Sequence, residues 1–80
     1  MLSEKLLKAL NEQITHEFDA SNLYLSMAAY CAAEGYPGFS NFFVAQAEEE
    51  RFHAMKIFHY VNELGARAVV SGLPEPKQDF

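Results

Sequence analysis

The sequence is short of almost everything that usually interrupts or cross-links a fold. It has one cysteine, no tryptophan, three prolines and four glycines among 80 residues, and only six Lys and Arg against eleven Asp and Glu. A single thiol, Cys31, excludes an internal disulfide and any zinc or rubredoxin-type iron site built from cysteines. The net charge of -5, with no cluster of basic residues, excludes a nucleic-acid footprint. No run approaches the ~18 apolar residues of a membrane span. The first ten residues, MLSEKLLKAL, are charged throughout and lack the continuous apolar core of a secretory leader. The expected compartment is therefore cytoplasmic, with neither membrane nor nucleic acid as partner.

The positions of the few breakers are as informative as their scarcity. Every glycine and proline lies within 35–38 or from 65 onward: Gly35, Pro37, Gly38, Gly65, Gly72, Pro74 and Pro76. The two long stretches between are rich in Ala, Leu, Glu and Met, which are strong helix formers. The reading is one all-α unit. A helix covers about 3–34, with Ser3 as N-cap. A turn follows at 35–38, then a second helix over about 39–65 and an extended connection or tail over 66–80. Half of the residues are apolar and 14% are aromatic, too greasy for a disordered chain. A chain of this length still buries only ~60% of its unfolded surface.

Alternating spacings of three and four pick out one stripe per helix. The first is Leu7, Leu10, Ile14, Glu17, Ser21, Tyr24, Ala28 and Cys31; the second is Phe39, Phe43, Gln46, Glu50, His53, Ile57, Tyr60 and Leu64. Such stripes pack bundle helices at shallow angles. Both are apolar at their ends and polar in the middle. A second apolar strip on the first helix, Ala20, Leu23, Met27 and Tyr30, requires a further neighbour. The fold class is thus an antiparallel helical hairpin forming half of a four-helix bundle.

The polar centres coincide in height. On a rise of ~1.5 Å per residue, Glu17 lies about 26 Å from the turn, and Glu50 and His53 about 18 and 23 Å. Two carboxylates and an imidazole then converge in the bundle, where unpartnered carboxylates cost several kcal/mol or take up a proton. No Lys or Arg lies on either stripe, because Arg51 and Lys56 fall off it. A metal ion is the natural counter-charge, and oxygen with imidazole nitrogen suits Fe, Mn or Zn. A lone Glu-x-x-His arises by chance in many helices; a facing Glu at matching height narrows the choice. One Glu plus one Glu-x-x-His is half of the ligand set that di-iron carboxylate bundles use. Tyr24, two turns from Glu17, either fills the core or supports the site, and Gln46 is a hydrogen-bonding neighbour or an interior amide. Glu48 and Glu49 read as solvated or edge residues, with Glu49 placed to help an ion enter. His16 and His59 read as surface residues, and Cys31, Met27 and Met55 as packing.

LNEQ, HEFDASNLYLSMA, EGYPGF and QAEEERFHAMK, taken together, resemble the first two helices of ferritins of the haem-free bacterial type. The resemblance covers nearly the whole chain. It implies iron storage and detoxification by a ferroxidase, which oxidises Fe(II) with O2 or peroxide at a di-iron centre and passes Fe(III) to a mineral core in a homo-oligomeric shell. By that resemblance Glu17, Glu50 and His53 ligate the first iron, with Glu50 bridging to the second. Tyr24 matches the tyrosine beside the centre, and Glu49 an acidic position of a further, weaker iron site. Bacterioferritins place a haem-ligating Met directly after the ligand Glu; Arg51 stands there, so no haem is expected. Rubrerythrins need a cysteine-rich domain that one cysteine cannot build.

The family's subunit has four long helices, and this chain carries two. The expectation is the N-terminal half of a subunit, its bundle completed by a C-terminal half or by another copy. A two-fold pair would assemble four Glu and two His, and encapsulated-ferritin-like proteins resemble that two-helix plan. Two other readings stand beside this one: a di-metal peroxidase or oxidase on the same bundle, and a metal-free or differently metallated helical dimer module.

Overall fold

The computed structural model describes residues 2–80. Two α-helices, α1 (Glu4–Ala33) and α2 (Pro37–Glu63), form a hairpin, and the described residues hold no strand. Ser3 has extended backbone angles and its hydroxyl accepts the amide of Leu6, satisfying one of the free donors of the first turn. Both helices stop in the same way. Gly35 and Gly65 take positive φ of 83° and 75°. The amides of Gly35 and Tyr36 then donate to the carbonyls of Ala32 and Cys31, and those of Gly65 and Ala66 to Asn62 and Val61. Each end is a Schellman motif, which ties up orphan carbonyls and favours glycine where φ is positive. The second helix begins at Pro37, two residues earlier than the expected start at Phe39. Proline at the first helical position loses no hydrogen bond and already has a helical φ.

Four of the six buried positions in the seam between the helices are Ala or Ser, with Ile14 and Val61 as the larger exceptions. The buried positions are Ile14, Ser21 and Ala28 on α1 and Ala47, Ala54 and Val61 on α2, each set seven apart. A strict seven-residue seam is the 3.5-residue repeat of helices that pack nearly parallel to each other's axes. Two cross-helix bonds fix the antiparallel register: Ser21 Oγ donates to Ala47 O at 2.8 Å, and Ser40 Oγ to Ala28 O at 2.8 Å. The steps from 21 to 28 and from 47 to 40 are both seven. On α1 the seam lies on the expected stripe. On α2 it lies one residue aside, and the expected stripe forms an adjoining face, with Phe39, Tyr60 and Leu64 exposed. Alanine and serine win the seam because they let two backbones approach where bulkier side chains would hold them apart.

Principal extents of 51 × 20 × 13 Å describe two rods side by side and one helix thick, since a helix with side chains is about 10–12 Å across. A stable domain usually needs two layers, so this slab is one layer of a bundle. Residues 66–80 have no regular structure and return along α1. Asn11 holds the start of this segment in both directions, donating from Nδ2 to Arg67 O at 3.2 Å and accepting from Val69 N at 2.8 Å on Oδ1. Further on, Ser26 Oγ donates to Lys77 O, and Tyr30 meets Phe80 edge to face, centroids 5.7 Å apart. No helix is long and apolar enough to cross a membrane, among the described residues.

Candidate metal centre

One face of the slab carries the polar middle of both helices. Glu17 and Glu50 each stand three residues after a seam position, Ile14 and Ala47, and His53 follows one turn after Glu50, so the register that closes the seam also brings the three together. Each offers one ligand atom, and these atoms lie within 4.8 Å of one another. His53 Nδ1 is 3.6 Å from Glu17 Oε2 and 3.8 Å from Glu50 Oε2. An ion with bonds of about 2.1 Å spans at most ~4.2 Å between opposite donors, so small side-chain movements would close the set around a cation. No other group of three or more His, Cys, Asp or Glu side chains reaches this proximity among the described residues.

The electrostatics match a site lacking one positive charge. The carboxyl of Glu50 is pushed above its ordinary range, first by the hydrogen bond it shares with Glu17, then by burial and by the neighbouring charge of Glu17. Glu17 is held below the ordinary range, first by that same hydrogen bond, with Gln13 and His53 adding to it and burial opposing. Opposite shifts in a coupled carboxylate pair mean that, as pH falls, Glu50 takes up its proton before Glu17, because the two charges repel each other. The side chains of Glu17 and Glu50 are 17% and 23% exposed and that of His53 45%. The sequence placed all three in a bundle interior; in this single layer they line an open face.

The remaining expected site residues stand around the cluster. Tyr24 stacks on Phe43, centroids 6.1 Å apart and planes 20° apart, and makes no hydrogen bond to the cluster among the described residues. Glu49 approaches His53 from behind, 4.0 Å from Nε2, on the far side of the ring from the carboxylates. Glu48, His16 and His59 are exposed, while Gln46, Met27, Met55 and Cys31 are half-buried. One neighbour escaped the sequence reading altogether: Gln13 donates from Nε2 to Glu17 Oε1 at 2.9 Å. Its signal was available, since Gln and an acid four residues apart on a helix are within hydrogen-bonding reach.

Comparison with known proteins adds a separate line. The sequence matches the family described as Ferritin-like domain over residues 7–80. It is 54% identical to the bacterial non-heme ferritin of Staphylococcus aureus over 80 residues, which is 100% of this chain and 48% of the relative. The Staphylococcus saprophyticus protein of the same name is 50% identical over the same span. Among solved structures, an open pore ferritin from the archaeon Archaeoglobus fulgidus superposes with a TM-score of 0.97 at 44% identity, covering 100% of this chain and 49% of that one. A Chlorobium tepidum ferritin gives 0.95 at 38%, again over 49% of its chain. The chain thus spans about half the length of the relatives it matches.

Proposed function

The chain belongs to the ferritin family, and from that premise we propose that it serves iron storage, with Glu17, Glu50 and His53 forming one half of a di-iron ferroxidase centre. The observation that carries the reading is the convergence of two carboxylates and an imidazole within 4.8 Å on an all-α scaffold. Iron is here the substrate and cargo. Carboxylate oxygens are hard donors that suit Fe(III), so a site rich in them favours loss of an electron from bound Fe(II). Two Fe(II) ions give up two electrons, which with two protons reduce O2 to hydrogen peroxide and leave two Fe(III) ions for storage. The residues of this chain bind and orient the metal. Glu17 and Glu50 supply charge, and binding favours the ionised form of both. His53 supplies a neutral nitrogen at Nδ1. Tyr24 and Glu49 serve as flanking groups, Tyr24 through its packing on Phe43 and Glu49 as the outer acid at the entrance. The second half of the centre comes from a C-terminal half of the subunit or from another copy, set on the open face of this layer. Arg51 follows Glu50, at the position where bacterioferritins carry a haem-ligating Met, so this reading involves no haem.

The test is aerobic addition of Fe(II) to the protein carrying this chain, following loss of Fe(II) and growth of Fe(III) absorption. The expected result is oxidation faster than in buffer and faster than in Glu50→Ala. Fe(II) consumption at the buffer rate would sink the proposal.

One observation favours a second reading. The hydrogen bond between Glu17 and Glu50 lets the two carboxyls meet without a metal, which suits a helical dimer module with a polar centre. Such a module would lose association in Glu50→Ala, whereas a metal site would lose its metal first.

A further inference from the structure

The two carboxylates of the cluster are not held alike. On Glu17, Oε1 accepts the amide of Gln13 at 2.9 Å, and Oε2 faces His53 Nδ1 at 3.6 Å. Glu50 has His53 at 3.8 Å and shares a hydrogen bond with Glu17, but no amide donates to it among the described residues. Gln13 sits one turn before Glu17, on the same helix and exposed, so its bond contributes too little to govern folding. What it does govern is which oxygen of Glu17 is available.

We propose that Gln13 is a positioning residue for the metal site: by engaging Oε1 it restricts Glu17 to one-oxygen ligation through Oε2, and it leaves Glu50 as the carboxylate free to bind through both oxygens. This rests on the metal-binding reading above. The physical reason is geometric. A carboxylate that grips a cation with both oxygens must turn its bisector toward it, and an Oε1 engaged by the Gln13 amide resists that turn. Neighbours that fix a ligand's orientation commonly change metal affinity 10- to 100-fold (roughly) when removed.

Gln13→Met is the informative variant, because methionine matches glutamine in length and helix propensity and removes the side-chain amide, and with it the donor to Glu17. With Co(II) as probe, the expected outcome is binding weakened by about 10-fold or more, together with a narrower splitting between the asymmetric and symmetric carboxylate stretches in infrared difference spectra as Glu17 turns to two-oxygen binding. The melting temperature of the metal-free protein stays where it was. Gln13→Ala gives the same two changes by a second route, and Glu12→Gln, on the exposed neighbouring position, gives neither. Unchanged affinity and splitting in both Gln13 variants overturn this proposal while leaving the metal site standing. If the wild-type protein takes up no Co(II), the metal reading falls, and this inference falls with it.

Discussion

The seam and the open face of the hairpin run side by side along the same two helices and follow opposite rules. At the seam, Ile14 is 1% exposed and Ala54 is fully buried, and the residues are uncharged and closely packed. One step around each helix, the side chains are larger, charged and partly exposed. The seam is complete within this chain, whereas the face is arranged for something that is not on the slab. Structure and chemistry have been separated by a rotation of a fraction of a turn.

Substitutions on either side should separate just as cleanly. The largest effect is expected from Ile14→Ala, which removes three carbons from the fully packed side of the seam and costs about 2–5 kcal/mol. Chemical denaturation measures it, and metal affinity per folded molecule should not change. Loss of metal binding in step with stability would mean that the two regions are not independent. Glu50→Ala should do the reverse. Loss of a ligand should weaken Co(II) or Fe(II) binding by more than about 100-fold, beyond the range typical of outer neighbours. The metal-free protein should be no less stable, since a carboxyl repelled by Glu17 has gone. Isothermal titration with parallel melts reads both.

The smallest effect concerns pH. Glu17, held low, contributes stability present above its ordinary range and lost as pH falls through its depressed pKa. Glu50, held high, contributes stability present below its ordinary range and lost as pH rises through its raised pKa. These contributions oppose, so the metal-free melting temperature should vary little across the acid range. Metal affinity should instead rise with pH through the raised pKa of Glu50, with release of a proton. Titration in buffers of different ionisation enthalpy measures that release, and pH-independent affinity would remove the raised pKa of Glu50 from the account.

How much of this could be read from the sequence follows from the range of each interaction. The helices were legible because glycine and proline are confined to the turn and the tail, and the cluster because Glu50 and His53 are three apart and Glu17 falls at matching height. The seam on α2 was not, because Ala47 and Ala54 carry almost no hydrophobic signal; only contact with the other helix shows that smallness was the requirement. The start at Pro37 was hidden because proline reads as a breaker until its place at the head of a helix is known. Asn11 clasps backbone at 67 and 69, and a contact across that separation leaves no local trace.

The seven-residue seam also acts as a ruler. Glu17 faces Glu50 only because a fixed number of helical positions separates each from the turn, and a single residue inserted or deleted within either helical stretch between them would swing one carboxylate about 100° around its helix. Between these two residues the chain can change its letters far more readily than its length. Beyond Gly65, where no helix counts the residues, that restriction lifts.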